Sequence, residues 1–253
     1  MFKTKRIPEI NTVNAFQVCG RGIKHNGKLY DTGYERTAIS VALAWILRPE
    51  RVVFTGGNSW RQRYAKLSLP SEGGTMLEYA QTACGPLPPG VEFLAETTST
   101  STVDNMTNSK AILALKRGER LLTISDYVHF IANRVEYIAG LVYPDVEHSF
   151  IRIPREYTST DVREEYFTTA ATHLAMLGVE KGNVDAIHAR QERLVSANES
   201  LRRLVGQFVP RPEEIESNTP TYSPAQEASY MAVPSFRLMN PQQMGAFLLG
   251  ATS

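Results

Sequence analysis

Arg51-Val52-Val53-Phe54-Thr55-Gly56-Gly57-Asn58 decides how the chain folds. Five residues of mainly apolar, strand-favouring character stop abruptly at two glycines and an asparagine. A short apolar strand that ends in bare backbone suits a parallel sheet covered on both faces. The same unit recurs on either side, with strand candidates at 14–19, 91–95, 121–125 and 149–153. Amphipathic stretches at 34–47, 71–84, 103–117 and 127–139 lie between them. Strands alternating with helices imply right-handed crossovers. The expected fold is therefore α/β, a Rossmann-like doubly wound and mainly parallel sheet over residues 1–155.

Residues 156–253 read as a helical C-terminal extension packing on the sheet domain. Helices are expected at 161–177 and 184–208, separated by Gly178 to Gly182. Four prolines make 210–224 a loop or strap, and 231–249 carries apolar residues with a weak pattern and a terminal helix from Asn240. A homo-oligomer contact through this third of the chain stays open.

Twenty-seven basic residues against twenty-six acidic ones leave a net charge of +1, so no global field draws in nucleic acid or an anionic membrane. Cys19 and Cys84 are too few for a disulfide framework and have no zinc-type spacing. The start, Met1-Phe2-Lys3-Thr4-Lys5-Arg6, lacks the apolar core of a signal peptide, and the apolar runs fall short of the roughly 20 residues of a membrane span. A cytoplasmic protein is expected.

In an open α/β sheet, ligands bind beyond the carboxyl ends of the strands, beside helix N-termini. The first strand ends at Cys19-Gly20-Arg21-Gly22, where Gly20 admits close approach and Arg21 suits a carboxylate or phosphate. Glu35-Arg36 opens the next helix, with Arg36 either reaching this cleft or solvated. Gly56, Gly57 and Asn58 suggest a nest of amides for an anion. Ser71 caps a helix in whose first turn Glu72 is followed by Gly73 and Gly74, each costing about 1 kcal/mol relative to alanine. Glu96 precedes six hydroxyl residues, Thr97 to Thr102, which lead to Asp104 and Asn105. Ser125 ends the fourth strand, and His129, Asn133 and Arg134 follow on its helix. His25, His148, His173 and His188 lack ligand spacing.

The ordered set Thr55-Gly56-Gly57, Ser71-Glu72-Gly73, Glu96 with Thr102-Val103-Asp104-Asn105, and Ser125-Asp126-Tyr127 with His129 and Arg134 resembles the ElyC/SanA/YdcF family over residues 14–145. Asp104 stands where that family usually has glutamate, and the spacing from His129 to Arg134 is longer than the family's. No anchor of the SanA-like kind precedes the set, so the resemblance is to the YdcF-like branch, and the last third of the chain matches nothing in it. The resemblance implies a polar cleft bearing carboxylates, an asparagine and basic groups.

Three functions compete. The first is a hydrolase or transferase acting on a small phosphorylated or nucleotide-like anion. There Glu72, Glu96 and Asp104 supply acid/base groups or surround a divalent metal, with His129 a further catalytic candidate. Gly56, Gly57, Asn58, Arg21, Arg36 or Arg134 would hold the anion, with Gly20, Ser71, Thr102, Asn105 and Ser125 lining the cleft. The second is a non-catalytic sensor for an adenosyl ligand such as S-adenosylmethionine, which the YdcF-like resemblance suggests. The third is a scaffold that uses the C-terminal helices. A serine hydrolase lacks its Gly-x-Ser-x-Gly elbow, and a P-loop enzyme lacks its Walker sequence. Arg61, Arg63 and Lys66, beside Trp60 and Tyr64, form a basic loop over the cleft rather than a nucleic-acid site.

Overall fold

A computed structural model describes residues 13–20, 22–24, 26–58, 69–153 and 159–205, with side chains in the last segment described for 162 and 165–197. In chain order the elements are β1 (Ala15–Cys19), α1 (Asp31–Leu47), β2 (Arg51–Thr55), α2 (Glu72–Ala83), β3 (Glu92–Glu96), α3 (Thr102–Leu113), β4 (Arg120–Asp126), α4 (Val128–Ile131), α5 (Arg134–Val142), β5 (Glu147–Ile153), α6 (Ser159–Ala175) and α7 (Val184–Val205). All five strands pair in parallel in the order β3-β2-β1-β4-β5. This is a doubly wound, Rossmann-like α/β sheet.

The order follows from where each crossover goes. Phe16, Val18, Val52, Phe54, Leu122 and Ile124 bury one face of the sheet against Ile39 and Leu43 of α1 and Met76 and Ala80 of α2. Ala15, Cys19, Val53 and Leu121 bury the other against Val103, Met106, Val135 and Ile138 of α3 and α5. The chain winds outward from β1 to β3 under α1 and α2, then returns over the opposite face to β4. The reversal falls between β1 and β4, and it is at the carboxyl ends beside such a reversal that sheets of this kind form their ligand crevice.

The expected strand and helix boundaries hold to within a few residues, with two informative exceptions. The helix expected at 103–117 stops at Leu113, where Ala114 takes φ 47° and Arg51 Nη1 donates to the Ile112 and Leu113 carbonyls. The helix expected at 127–139 is broken into α4 and α5 by Asn133 at φ 57°, a left-handed conformation that asparagine tolerates well. That break starts a new helix at Arg134.

The described part of the C-terminal third packs on the α3–α5 face. Ile187 of α7 and Met176 are fully or almost fully buried there, Tyr137 stacks on His173 at 3.7 Å, and Lys110 Nζ donates to the Val142 and Gly182 carbonyls. Among the described residues no helix is long and apolar enough to cross a membrane. The expectations at Arg21, His25, the Trp60–Lys66 loop, 210–224 and 231–249 lie outside the described residues.

Candidate functional site

At the β1/β4 reversal sits a fully buried ion pair. Arg36 projects from the second turn of α1, its Nε donates to Asp126 Oδ1 at 3.2 Å, and its Nη2 lies 2.5 Å from Asp126 Oδ2. Nη1 donates to the Cys19 carbonyl. The guanidinium therefore ties the end of β4 to the end of β1. Burial alone would lower the Arg36 pKa, but Asp126 beside it, with help from Glu72, outweighs that and raises it. Arg36 is locked in its charged form.

Glu72 completes the floor. It begins α2 and is almost fully buried, and its carboxylate lies over the backbone of Gly20 and Gly56. A side chain at Gly56 would meet Glu72 Oε2 at 2.8 Å, and one at Gly20 would overlap that carboxylate outright. Glu35, next to Arg36 on α1, is half-buried. Burial, then Asp126 and Asp31, push its carboxyl up to about 7 against the opposing pull of Arg36. Ser125 Oγ and His129 Nδ1 are 2.8 Å apart on the neighbouring turn. Burial pushes the Cys19 thiol up to about 11, so it is no nucleophile at neutral pH.

Other expected site residues have local employment. Gly56 N–H donates to the Glu96 carbonyl at 3.1 Å and Gly57 N–H to the Ser99 carbonyl at 2.9 Å. The amide nest expected there for an anion is thus already spent on the chain. Gly57 and Gly73 instead allow backbone to touch backbone. A Cβ on Gly57 would sit 2.5 Å from Ser99 O, and one on Gly73 would sit 2.7 Å from Phe54 O. Ser71 Oγ caps α2 by accepting from Gly74 N–H, and Asn58 Nδ2 donates to Leu69 O at 3.0 Å.

Glu96 is wrapped by its own loop. Its Oε1 accepts from the Thr98 and Ser99 amides, the Thr98 hydroxyl and Asn108 Nδ2, while Oε2 accepts from Ser99 Oγ. Ser99 Oγ also pairs with Asn105 Oδ1. Asp104 accepts from the amide and hydroxyl of Thr100 and faces His188 of α7 at 3.7 Å. Thr102 opens α3 behind its cap, Ser101. Of the three carboxylates expected to converge, Glu96 and Asp104 are thus engaged in organising the 97–105 loop, while Glu72 lies over Gly20 and Gly56. Among the described residues no group of three or more His, Cys, Asp or Glu side chains is arranged to hold a metal ion. Arg134 is also committed, in a bidentate pair with Glu165 of α6 at 2.8 and 2.9 Å.

A hollow of about 470 Å³ occurs at the opposite end of the sheet, among Lys110, Lys116, Arg117, Asp145 and Lys181. It is remote from the strand carboxyl ends, and Lys110 there already serves backbone carbonyls.

Sequence reasoning left Asp126 and Glu35 out of the site. The usable signal was an aspartate ending an otherwise apolar strand at the reversal point, where an unpaired charge is too costly to bury. No protein-family model matches the chain, and neither a curated protein nor a solved structure matches it significantly.

Proposed function

We propose that the chain is a YdcF-like enzyme, a hydrolase or transferase, that holds a nucleotide-like molecule in the crevice between β1 and β4. The observation that carries this reading is the meeting of Glu35, Arg36, Glu72 and Asp126, from three different elements, at the switch point of a doubly wound sheet. That is where such sheets bind ligands. Glu35 is the acid/base residue, because a carboxyl poised near 7 gives and takes a proton at neutral pH. Glu72 suits the sugar hydroxyls as an acceptor. The buried Arg36–Asp126 pair is the positioning element that fixes the two strand ends.

A second reading, a sensor for an adenosyl ligand such as S-adenosylmethionine, is favoured by one feature. Glu35, Glu72 and Asp126 outnumber Arg36, which is already paired with Asp126, and this charge suits a sulfonium better than a bare phosphate.

A thermal-shift screen of the full chain against nucleotides with and without magnesium, sugar phosphates and S-adenosylmethionine tests both readings. A nucleotide that raises Tm in wild type but not in Glu72→Gln, and is turned over by wild type but not by Glu35→Gln, supports the enzyme. A shift with S-adenosylmethionine alone, without turnover, supports the sensor. No shift, or equal shifts in the variants, sinks both.

A further inference from the structure

The hollow at the amino end of the sheet gathers charge that the rest of the chain balances. Lys110, Lys116, Arg117 and Lys181 line it against two carboxylates, Asp145 and Glu180, an excess of two positive charges in a chain whose total is only +1. Lys110 Nζ is tied down, donating to the Val142 carbonyl at 2.8 Å and to the Gly182 carbonyl at 3.3 Å. Lys116, Arg117 and Lys181 are exposed, and among the described residues no side chain pairs with any of them.

Lysines scattered over a surface would mean nothing, but these stand on a cradle that the backbone stitches together. Three connections form it: 114–119 between α3 and β4, 143–146 between α5 and β5, and 176–183 between α6 and α7. Gly118 N–H donates to Asp145 O at 2.8 Å, Glu147 N–H to Glu119 O at 2.8 Å, and Gly182 N–H to Leu141 O at 2.7 Å. The Glu119 carboxylate accepts from the Lys116 amide at 2.7 Å, so that acid is turned onto its own loop. A concave wall of low dielectric focuses the field of the charges it carries. The volume, about 470 Å³, is that of a small-molecule site and not of a groove for an extended polymer.

We propose that this hollow is a second ligand site, for a small organic polyphosphate of which a nucleoside diphosphate is the simplest example. Lys116, Arg117 and Lys181 take the phosphates through charge-assisted hydrogen bonds. Leu115, Pro144 and Val146, in the same lining, take the organic part. A single phosphate would leave part of the positive excess unmatched. The site is independent of the crevice between β1 and β4, whose carboxylates repel an anion that brings no cation of its own.

Isothermal titration calorimetry of the full chain with ADP, without magnesium, is the test. Binding is expected to weaken at least about tenfold when Lys116→Gln is combined with Lys181→Gln, and to be unchanged in Glu72→Gln. AMP is expected to bind several-fold more weakly than ADP. Both replaced lysines are exposed, so the double variant should keep the wild-type Tm. Acetylation of wild type read by mass spectrometry locates the ligand: ADP should protect Lys116 and Lys181 several-fold and leave the exposed Lys28 unprotected. Absence of binding, an unaffected double variant, a loss in Glu72→Gln instead, or displacement by sulfate as readily as by pyrophosphate overturns the assignment. Protection spread equally over all three lysines does the same.

Discussion

Asp126→Leu removes the carboxylate that partners the Arg36 Nε and Nη2 atoms while leaving a guanidinium that no solvent reaches. An unpaired charge left in such a place costs about 3–5 kcal/mol. The lower part of that range is expected, because Nη1 keeps the Cys19 carbonyl and Glu72 remains within electrostatic reach. Arg36→Met strands the carboxylate instead. That variant is expected to lose about 3 kcal/mol. Arg36→Met with Asp126→Leu strands neither charge and is expected to recover to within about 1–2 kcal/mol of wild type. Urea denaturation followed by far-UV circular dichroism measures all four proteins. The coupling expected from the cycle is at least about 2 kcal/mol. Single losses below about 1 kcal/mol, or additive ones, would mean that water reaches the pair and that it does not clamp β1 to β4.

Glu35 predicts a pH dependence of opposite sense to an ordinary carboxylate. Its folded pKa is raised from 4.5 to about 7, so the native state binds the extra proton and stability is lost as pH rises between those values. The displacement corresponds to about 3 kcal/mol at most, and solvent screening of a half-buried side chain reduces it to roughly 1–2. Glu35→Gln should flatten that fall, and urea midpoints at pH 4.5, 6 and 7.5 check it. Gly73→Ala should destabilise by about 1–3 kcal/mol, since its Cβ meets the Phe54 and Glu96 carbonyls at the ends of β2 and β3. Gly140→Ala, inside α5 with nothing within 4 Å, should instead gain up to about 1 kcal/mol, and thermal melts of the pair separate the two cases. Glu96→Gln puts an amide where up to four donors converge and should cost about 1–3 kcal/mol without any ligand present; an unchanged Tm would contradict the loop-holding role.

The sheet was legible because its strands are short apolar runs with abrupt polar ends, a signal that depends only on neighbours in sequence. Arg51–Thr55 is read to the residue for this reason. The break at Asn133 was not, because its left-handed turn is chosen by the docking of Arg134 on Glu165, thirty-one residues away. At the strand ends the right positions were visible but not the direction of their side chains. Arg36 looked equally able to be a solvated residue, and only the tertiary placement of Asp126 explains why it is buried. Glu96 beside six hydroxyl residues looked like a ligand site, yet the same hydroxyls and amides fold back on the carboxylate. A carboxylate and a hydroxyl-rich loop read alike whether the donors come from the protein or from a ligand.

The glycines show what this ambiguity means for the crevice. Bare backbone at Gly20, Gly56 and Gly57 satisfied the expectation of close approach, but what approaches is the protein itself: the Glu72 carboxylate over the first two and the 97–99 backbone over the third. The amides that would have cradled a phosphate are spent on carbonyls. The crevice therefore differs in charge from a dinucleotide site, whose free amides and helix terminus face the anion. It is lined by the carboxylates Glu72 and Glu35, and Arg36 is neutralised by Asp126. A ligand that enters must bring hydroxyls, a positive centre or its own cation. This is why the magnesium arm and the S-adenosylmethionine arm of the binding screen, and not the nucleotide alone, separate the two readings of the site.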